Sequence, residues 1–126
     1  MKKALTLLEI LLVVMIVGIT ASFGMANYSK SRAQIMDREA KTQLRLMYSA
    51  QKNRKADGLS YAVCNSSSPC DSALGITLDG STGWSYCMRA SGSGFCGSAR
   101  HKYNNIWSIS NSSDAVSSGN CSTTCL

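Results

Sequence analysis

One acidic residue, Glu9, interrupts an apolar segment that is long enough to cross a membrane. Residues 4–26, called the apolar segment below, contain no other charged side chain, and the flanking charges are Lys3 and Lys30. A carboxylate inside a membrane-spanning helix costs about 2.5–3.5 kcal/mol on insertion scales, and such residues usually have a function. We therefore expect Glu9 to have a specific role.

A short basic leader precedes the apolar run. Lys2 and Lys3 come before a small residue, Ala4, after which Leu5 begins the run that contains Glu9. This pattern resembles the prepilin signal of type IV pilins and type II secretion pseudopilins. The resemblance implies that a prepilin peptidase cuts between Ala4 and Leu5 on the cytoplasmic side. It also implies that the new N-terminal residue, Leu5, is N-methylated. Members of the family usually carry glycine where this chain has Ala4.

The same resemblance implies that Glu9 acts in assembly. Cleavage before Leu5 creates a free amine, which can pair with the Glu9 carboxylate of an adjacent subunit. An unpaired acid in an apolar environment is costly and a paired one is less so. The penalty therefore favours subunits that are stacked in register.

The apolar segment predicts a membrane helix over residues 5–26, after a leader of residues 1–4. Such a helix is about 33 Å long, close to a hydrocarbon core of about 30 Å. Gly18 and the small residues at 20–22 would let neighbouring helices approach closely. The alternative is a secretory signal peptide cleaved after Ala26, which would release a disulfide-rich binding protein. The length of the run and Glu9 favour the prepilin interpretation.

Residues 27–57 predict an amphipathic continuation of the same helix. Apolar residues recur there at spacings of three and four and define one face. This face consists of Met36, Ala40, Leu44 and Met47, extended by Ala33 and Gln51. Asp57 and Gly58 predict the end of the helix. Residues 39–52, Gly58 and residues 61–62 are also similar to pilins and major pseudopilins, in which this face packs on a small sheet.

Residues 58–126, called the head below, are rich in Gly, Ser, Asn and Cys and predict short strands. Three stretches, 84–89, 95–101 and 105–109, alternate partly between apolar and polar residues and predict an antiparallel meander. Residues 91–94 and 103–104 supply the turns, and Gly97 weakens the second strand. We expect irregular structure over 111–126. The predicted fold is α+β, with a long N-terminal helix packed on three or four antiparallel strands, like a type IV pilin.

Six cysteines predict that disulfide bonds stabilise the head, because a core of about 70 residues usually needs such staples. An even number of cysteines after an export-type signal indicates an oxidising compartment. The sequence leaves the connectivity open, and we expect short-range pairs. These are Cys64–Cys70, Cys87–Cys96 and Cys121–Cys125.

Charge and motifs argue against several other classes of protein. The net charge is +6, but the excess lies mainly in residues 27–57, so the basic balance indicates a solvated helix face more than a DNA surface. The cysteine spacing lacks a C-x2-C pair, which disfavours zinc. Asp114 alone makes a poor calcium site. We expect no metal, no cofactor and no enzymatic activity.

The resemblance implies a filament subunit that is held in the bacterial inner membrane before assembly, with the head outside the cytoplasm. Lys30 and Arg32 oppose this topology under the positive-inside rule, but oxidation of six cysteines requires export. The implied partners are further copies of the chain, a prepilin peptidase and N-methyltransferase, a platform protein and a motor ATPase. An extracellular pilus is favoured over a periplasmic pseudopilus of a type II secretion system. A minor pilin or tip adhesin is a further alternative.

Overall fold

The computed structural model describes residues 6–65, 69–102, 105–119 and 121, apart from the side chains of residues 25 and 26. The chain divides into two compact units, an N-terminal unit (Met1–Ile35) and a C-terminal unit (Met36–Leu126), which are described separately. The elements, in chain order, are α1 (Leu7–Ala56), α2 (Cys70–Leu74), β1 (Trp84–Ser91), β2 (Gly94–His101), β3 (Ile106–Ser110) and β4 (Ser113–Ser118).

Thr6 caps the start of α1. The backbone N–H of Glu9 donates to the carbonyl oxygen of Thr6 at 3.0 Å and lies 3.4 Å from its hydroxyl oxygen. A threonine followed three residues later by glutamate is the capping-box pattern, which pairs N–H groups that a helix start leaves open. A carboxylate in the first turn also interacts favourably with the positive end of the helix.

Gly58 ends α1, as the sequence predicts. Its φ of 77° lies in the left-handed region, which glycine adopts at little cost. The N–H of Gly58 donates to the carbonyl of Lys55 at 3.1 Å, and that of Leu59 to the carbonyl of Arg54 at 3.0 Å. These two bonds form the Schellman motif, which turns the chain away from the helix axis.

The four strands form one antiparallel sheet in the order β1-β2-β3-β4. The three predicted strands correspond to β1, β2 and β3 with small shifts at their ends. The prediction of an irregular tail is wrong, because residues 113–118 form β4. Half of its six residues are serine and it lacks an alternating apolar pattern, so its pairing with β3 left no signal in the sequence. The turn predicted at 103–104 lies outside the described residues.

One face of α1 packs on the sheet and forms the core of the C-terminal unit. Ala40, Leu44 and Met47 are completely buried, whereas Met36 is half-buried and Ala33 is exposed. The packed face therefore begins at Met36. The sheet contributes Trp84, Met88, Phe95, Ala99 and Ile109 to the same core.

Gly97 makes room for a neighbouring side chain and does not interrupt β2. It pairs with Met88 of β1 on one side and with Ile109 of β3 on the other. A Cβ atom at Gly97 would lie 2.9 Å from the Met88 Cε and 3.2 Å from its Sδ. A glycine inside a strand commonly marks such a close approach.

The observed disulfide bonds differ from two of the three predicted pairs. Cys64 bonds to Cys70 as predicted, but Cys96 bonds to Cys121. The predicted pairs Cys87–Cys96 and Cys121–Cys125 are therefore wrong.

The register of the sheet explains the first error. Cys87 lies opposite Ser98, and Cys96 lies opposite Arg89, so the two cysteines are diagonal neighbours. Diagonal neighbours are about 7–8 Å apart, and although their Cβ atoms are somewhat closer than that, they are too far apart for a disulfide bond. Cys87 is itself disulfide-bonded, and Cys125 lies outside the described residues.

Gln51 ends the buried row of α1 with a polar side chain that is completely buried. Its Nε2 donates to the carbonyl oxygen of Ala62 at 2.6 Å, and its Oε1 accepts from the N–H of Ala62 at 2.9 Å. The amide thus pairs with both backbone groups of Ala62, as a neighbouring strand would. This contact fixes the chain that follows α1 against the helix.

Replacing Gln51 with methionine keeps the side-chain volume but leaves the N–H and C=O of Ala62 unpaired. We expect the free energy of unfolding to fall by about 2 kcal/mol or more, because one buried unpaired group costs about 1–3 kcal/mol. Denaturant unfolding of the full chain in detergent, followed by tryptophan fluorescence, measures this change.

The matched control is Gln43→Met on the same helix. The Oε1 atom of Gln43 is buried and has no hydrogen-bond partner among the described residues. Its replacement should therefore leave the free energy of unfolding unchanged or raise it. Equal losses in the two variants would contradict the role given to the Gln51 amide.

Candidate assembly surface

The first part of α1 exposes apolar side chains on all of its sides. Every side chain from Thr6 to Gly24 is exposed, with exposed fractions of 52% at Ile10 and 84% at Leu7. By length and composition this helix is able to cross a membrane. A contiguous apolar surface of this size marks contact with lipid or with another protein.

The hydroxyl groups in this part of α1 are already paired within the helix. The Thr20 hydroxyl donates to the carbonyl oxygen of Ile16 at 3.0 Å, and the Ser22 hydroxyl donates to that of Gly18 at 2.9 Å. An unpaired polar group costs several kcal/mol in hydrocarbon, whereas these groups need no further partner. They therefore suit an apolar environment.

Glu9 is the exception among these polar groups. Its backbone N–H is bonded to Thr6, but its carboxylate has no partner among the residues that the structure describes. The predicted cleavage residues, Ala4 and Leu5, lie outside the described part of the chain. The capping role of Thr6 was missed in the sequence, although the Thr-x-x-Glu spacing signals it.

The residues that were predicted to mediate helix packing lie in both units. Gly18 faces open space, since a Cβ atom built there would meet nothing within 4 Å. Ala40, Leu44 and Met47 are instead buried against the sheet of the C-terminal unit. The small surface at Gly18 is thus free for a neighbouring helix.

No metal centre is evident in the described parts of the chain. Across residues 6–65, 69–102, 105–119 and 121, no three His, Cys, Asp or Glu side chains lie close enough together to hold an ion. Asp114 is exposed on β4. The ring of His101 is buried against Trp84, with the ring centres 5.0 Å apart, so this histidine belongs to the core.

Tyr86 lines a pocket between α2 and β1. The hydroxyl group of Tyr86 is buried and has no hydrogen-bond partner among the described residues. Burial raises the pKa of Tyr86 well above its ordinary value, and the nearby charges of Glu39 and Asp79 raise the pKa further. The neutral phenol is therefore the form that the fold accommodates.

The stability of the C-terminal unit should fall as the pH rises above about 10, the ordinary pKa of tyrosine. In that range the unfolded chain has released the Tyr86 proton while the folded chain retains it, so deprotonation favours unfolding. Unfolding of the wild type and of Tyr86→Phe between pH 8 and 11 measures this contribution. A fall of the same size in both proteins would show that Tyr86 is not its source.

Part of the chain is similar to a known pilin. Over 51 residues it is 41% identical to the type IV major pilin protein PilA of Myxococcus xanthus. The match covers 40% of this chain and 23% of that pilin, so it spans about a quarter of the relative's length. No known family model matches the chain. No solved structure matches it either.

The predicted fold class is confirmed. A long N-terminal helix packs on a four-stranded antiparallel sheet, and disulfide bonds join the segments around that sheet. This is the α+β arrangement that the resemblance to type IV pilins implies.

Proposed function

We propose that the chain is a structural subunit of a type IV pilus-like filament. The observation that carries this proposal is the first part of α1, which is apolar and exposed on all sides and has one acid in its first turn. The local identity with the Myxococcus xanthus pilin supports the same function. The helix would anchor the subunit in the inner membrane and later form the filament core.

The same helix surface suits both environments. In the membrane it contacts lipid chains, and in a filament it contacts the corresponding helices of other copies. Its hydroxyl groups are paired with its own carbonyls, so moving from lipid to protein breaks no hydrogen bond. The open surface at Gly18 allows close approach of a second helix.

Glu9 would supply the register of the filament. Its carboxylate has no partner among the described residues, and an isolated charge in an apolar environment is costly. Cleavage between Ala4 and Leu5 would provide a positively charged amine on each neighbouring copy. Pairing of that amine with Glu9 lowers the cost only when the copies are aligned.

Processing and assembly would need partners outside this chain. A prepilin peptidase would cut the leader and methylate Leu5, and a platform protein with a motor ATPase would extract subunits from the membrane. The head would lie outside the cytoplasm, where its disulfide bonds form. A major pseudopilin of a type II secretion system is the alternative, and the location of the filament separates the two.

Substitution of Glu9 by glutamine tests the assembly role. The side chain keeps its size and its helix propensity but loses its charge. We expect normal membrane insertion and at least a tenfold loss of filaments, since about 1.4 kcal/mol already changes an equilibrium tenfold. Immunoblots of sheared filaments and of whole cells in the native host measure both quantities.

The control is Thr6→Ala, which removes the cap at a cost of about 1 kcal/mol but keeps the charge. This variant should still assemble. Normal filament yield from Glu9→Gln would refute the assembly role. Shed extracellular filaments in the wild type would indicate a pilus, and filaments confined to the periplasm would indicate a pseudopilus.

A further inference from the structure

A basic flank runs along the side of α1 that faces β3 and β4. It consists of Arg38, Lys41, Arg45 and Lys52. The Lys41 Nζ lies 3.8 Å from the ring centre of Trp107 on β3. The Lys52 Nζ donates to the Asn111 Oδ1 at 2.9 Å, in the turn between β3 and β4.

The two arginines of the basic flank lie on the same side of the helix and are exposed. Arg38 and Arg45 are three and four residues from Lys41, the spacing of neighbours on one helix face. Neither guanidinium has a partner among the described residues. Beside this flank lies β4, in which three serines and one alanine make up four of the six residues. A second molecule can therefore reach the arginines.

An acidic flank lies on the opposite side of the same unit, at the β1 edge. It consists of Glu39, Asp71 and Asp79. The Glu39 Oε1 accepts a hydrogen bond from the Thr82 hydroxyl at 3.1 Å, just before β1. Asp71 lines a concavity of about 240 Å³ together with Tyr86.

Four charges near the two flanks have the opposite sign to their flank. Arg89 is exposed on β1, and two of the other three are hydrogen-bonded within the unit. The Asp37 Oδ1 accepts from the Trp107 Nε1 at 3.3 Å, and the Arg54 Nε donates to the Ser60 carbonyl at 3.2 Å. Asp114, on β4, is exposed. The basic flank thus keeps a positive excess and the acidic flank a negative one.

We propose that the basic flank of one subunit docks on the acidic flank of a second copy. The two surfaces differ, so the contact is heterologous, and repeated heterologous contacts build an open helical filament unless they close a ring. The opposite charges select the partner surface and its orientation. This inference rests on the proposed function and adds the surface by which C-terminal units recognise one another.

Charge reversal in the full chain tests the docking. Arg45→Glu would place a negative charge of the basic flank opposite the acidic flank of the next copy. Asp71→Arg would place a positive charge of the acidic flank opposite the basic flank. Each variant should reduce sheared filaments roughly tenfold or more, because like charges at an interface cost several kcal/mol. The double variant reverses both flanks and should recover most of the wild-type yield.

Arg100→Glu is the matched control, because Arg100 is an exposed cation on β2 that belongs to neither flank. It should assemble like the wild type. Whole-cell immunoblots and non-reducing gels verify that each variant accumulates with its disulfide bonds. If a reversed variant does not accumulate, the neutral variants Arg45→Gln and Asp71→Asn replace it, with a smaller expected loss.

The outcomes separate this inference from the proposed function. If Glu9→Gln stops assembly while Arg45→Glu assembles normally, the filament function stands and the docking is wrong. A double variant no better than the single ones also overturns it. If Arg45→Glu forms normal filaments that bind less DNA, the basic flank serves a nucleic acid and the docking is wrong as well.

Discussion

The structure depends on a helix surface that stays exposed among the described residues. From Leu7 to Gly24 the side chains of α1 are exposed, and all of them except Glu9, Thr20 and Ser22 are apolar or absent. Such a surface is unfavourable in water, so lipid or protein must surround it. This requirement explains why hydroxyl groups in the segment bond to its own carbonyls, and why the lone carboxylate of Glu9 is the feature that a partner must satisfy.

The second part of α1 packs within the C-terminal unit, because only one of its faces is apolar. That face covers the apolar face of the four-stranded sheet, which must be buried against another element, and Gly97 leaves room for the Met88 side chain in this core. Gln51 and the disulfide bonds then hold the connecting segments, which have little apolar surface of their own. One helix thus joins a surface for other molecules to a scaffold for the head.

Local signals made the helix and much of the sheet predictable. Periodicity gave the face from Met36 to Met47, and Gly58 gave the helix end. Contacts between distant residues were not predictable: β4 is held by backbone pairing, and the Cys96–Cys121 bond depends on sheet register. The acid at Glu9 was recognisable because its cost in an apolar segment follows from its position alone.

The most direct test of this account is the intact mass and N-terminal sequence of the mature protein from its native host. The account predicts a chain that starts at Leu5 and is heavier by one methyl group. Glu9 and the apolar segment would then be present in the mature subunit. A chain that starts at Asn27 would contradict the account, because a protein without Glu9 and this helix surface cannot assemble in the way described.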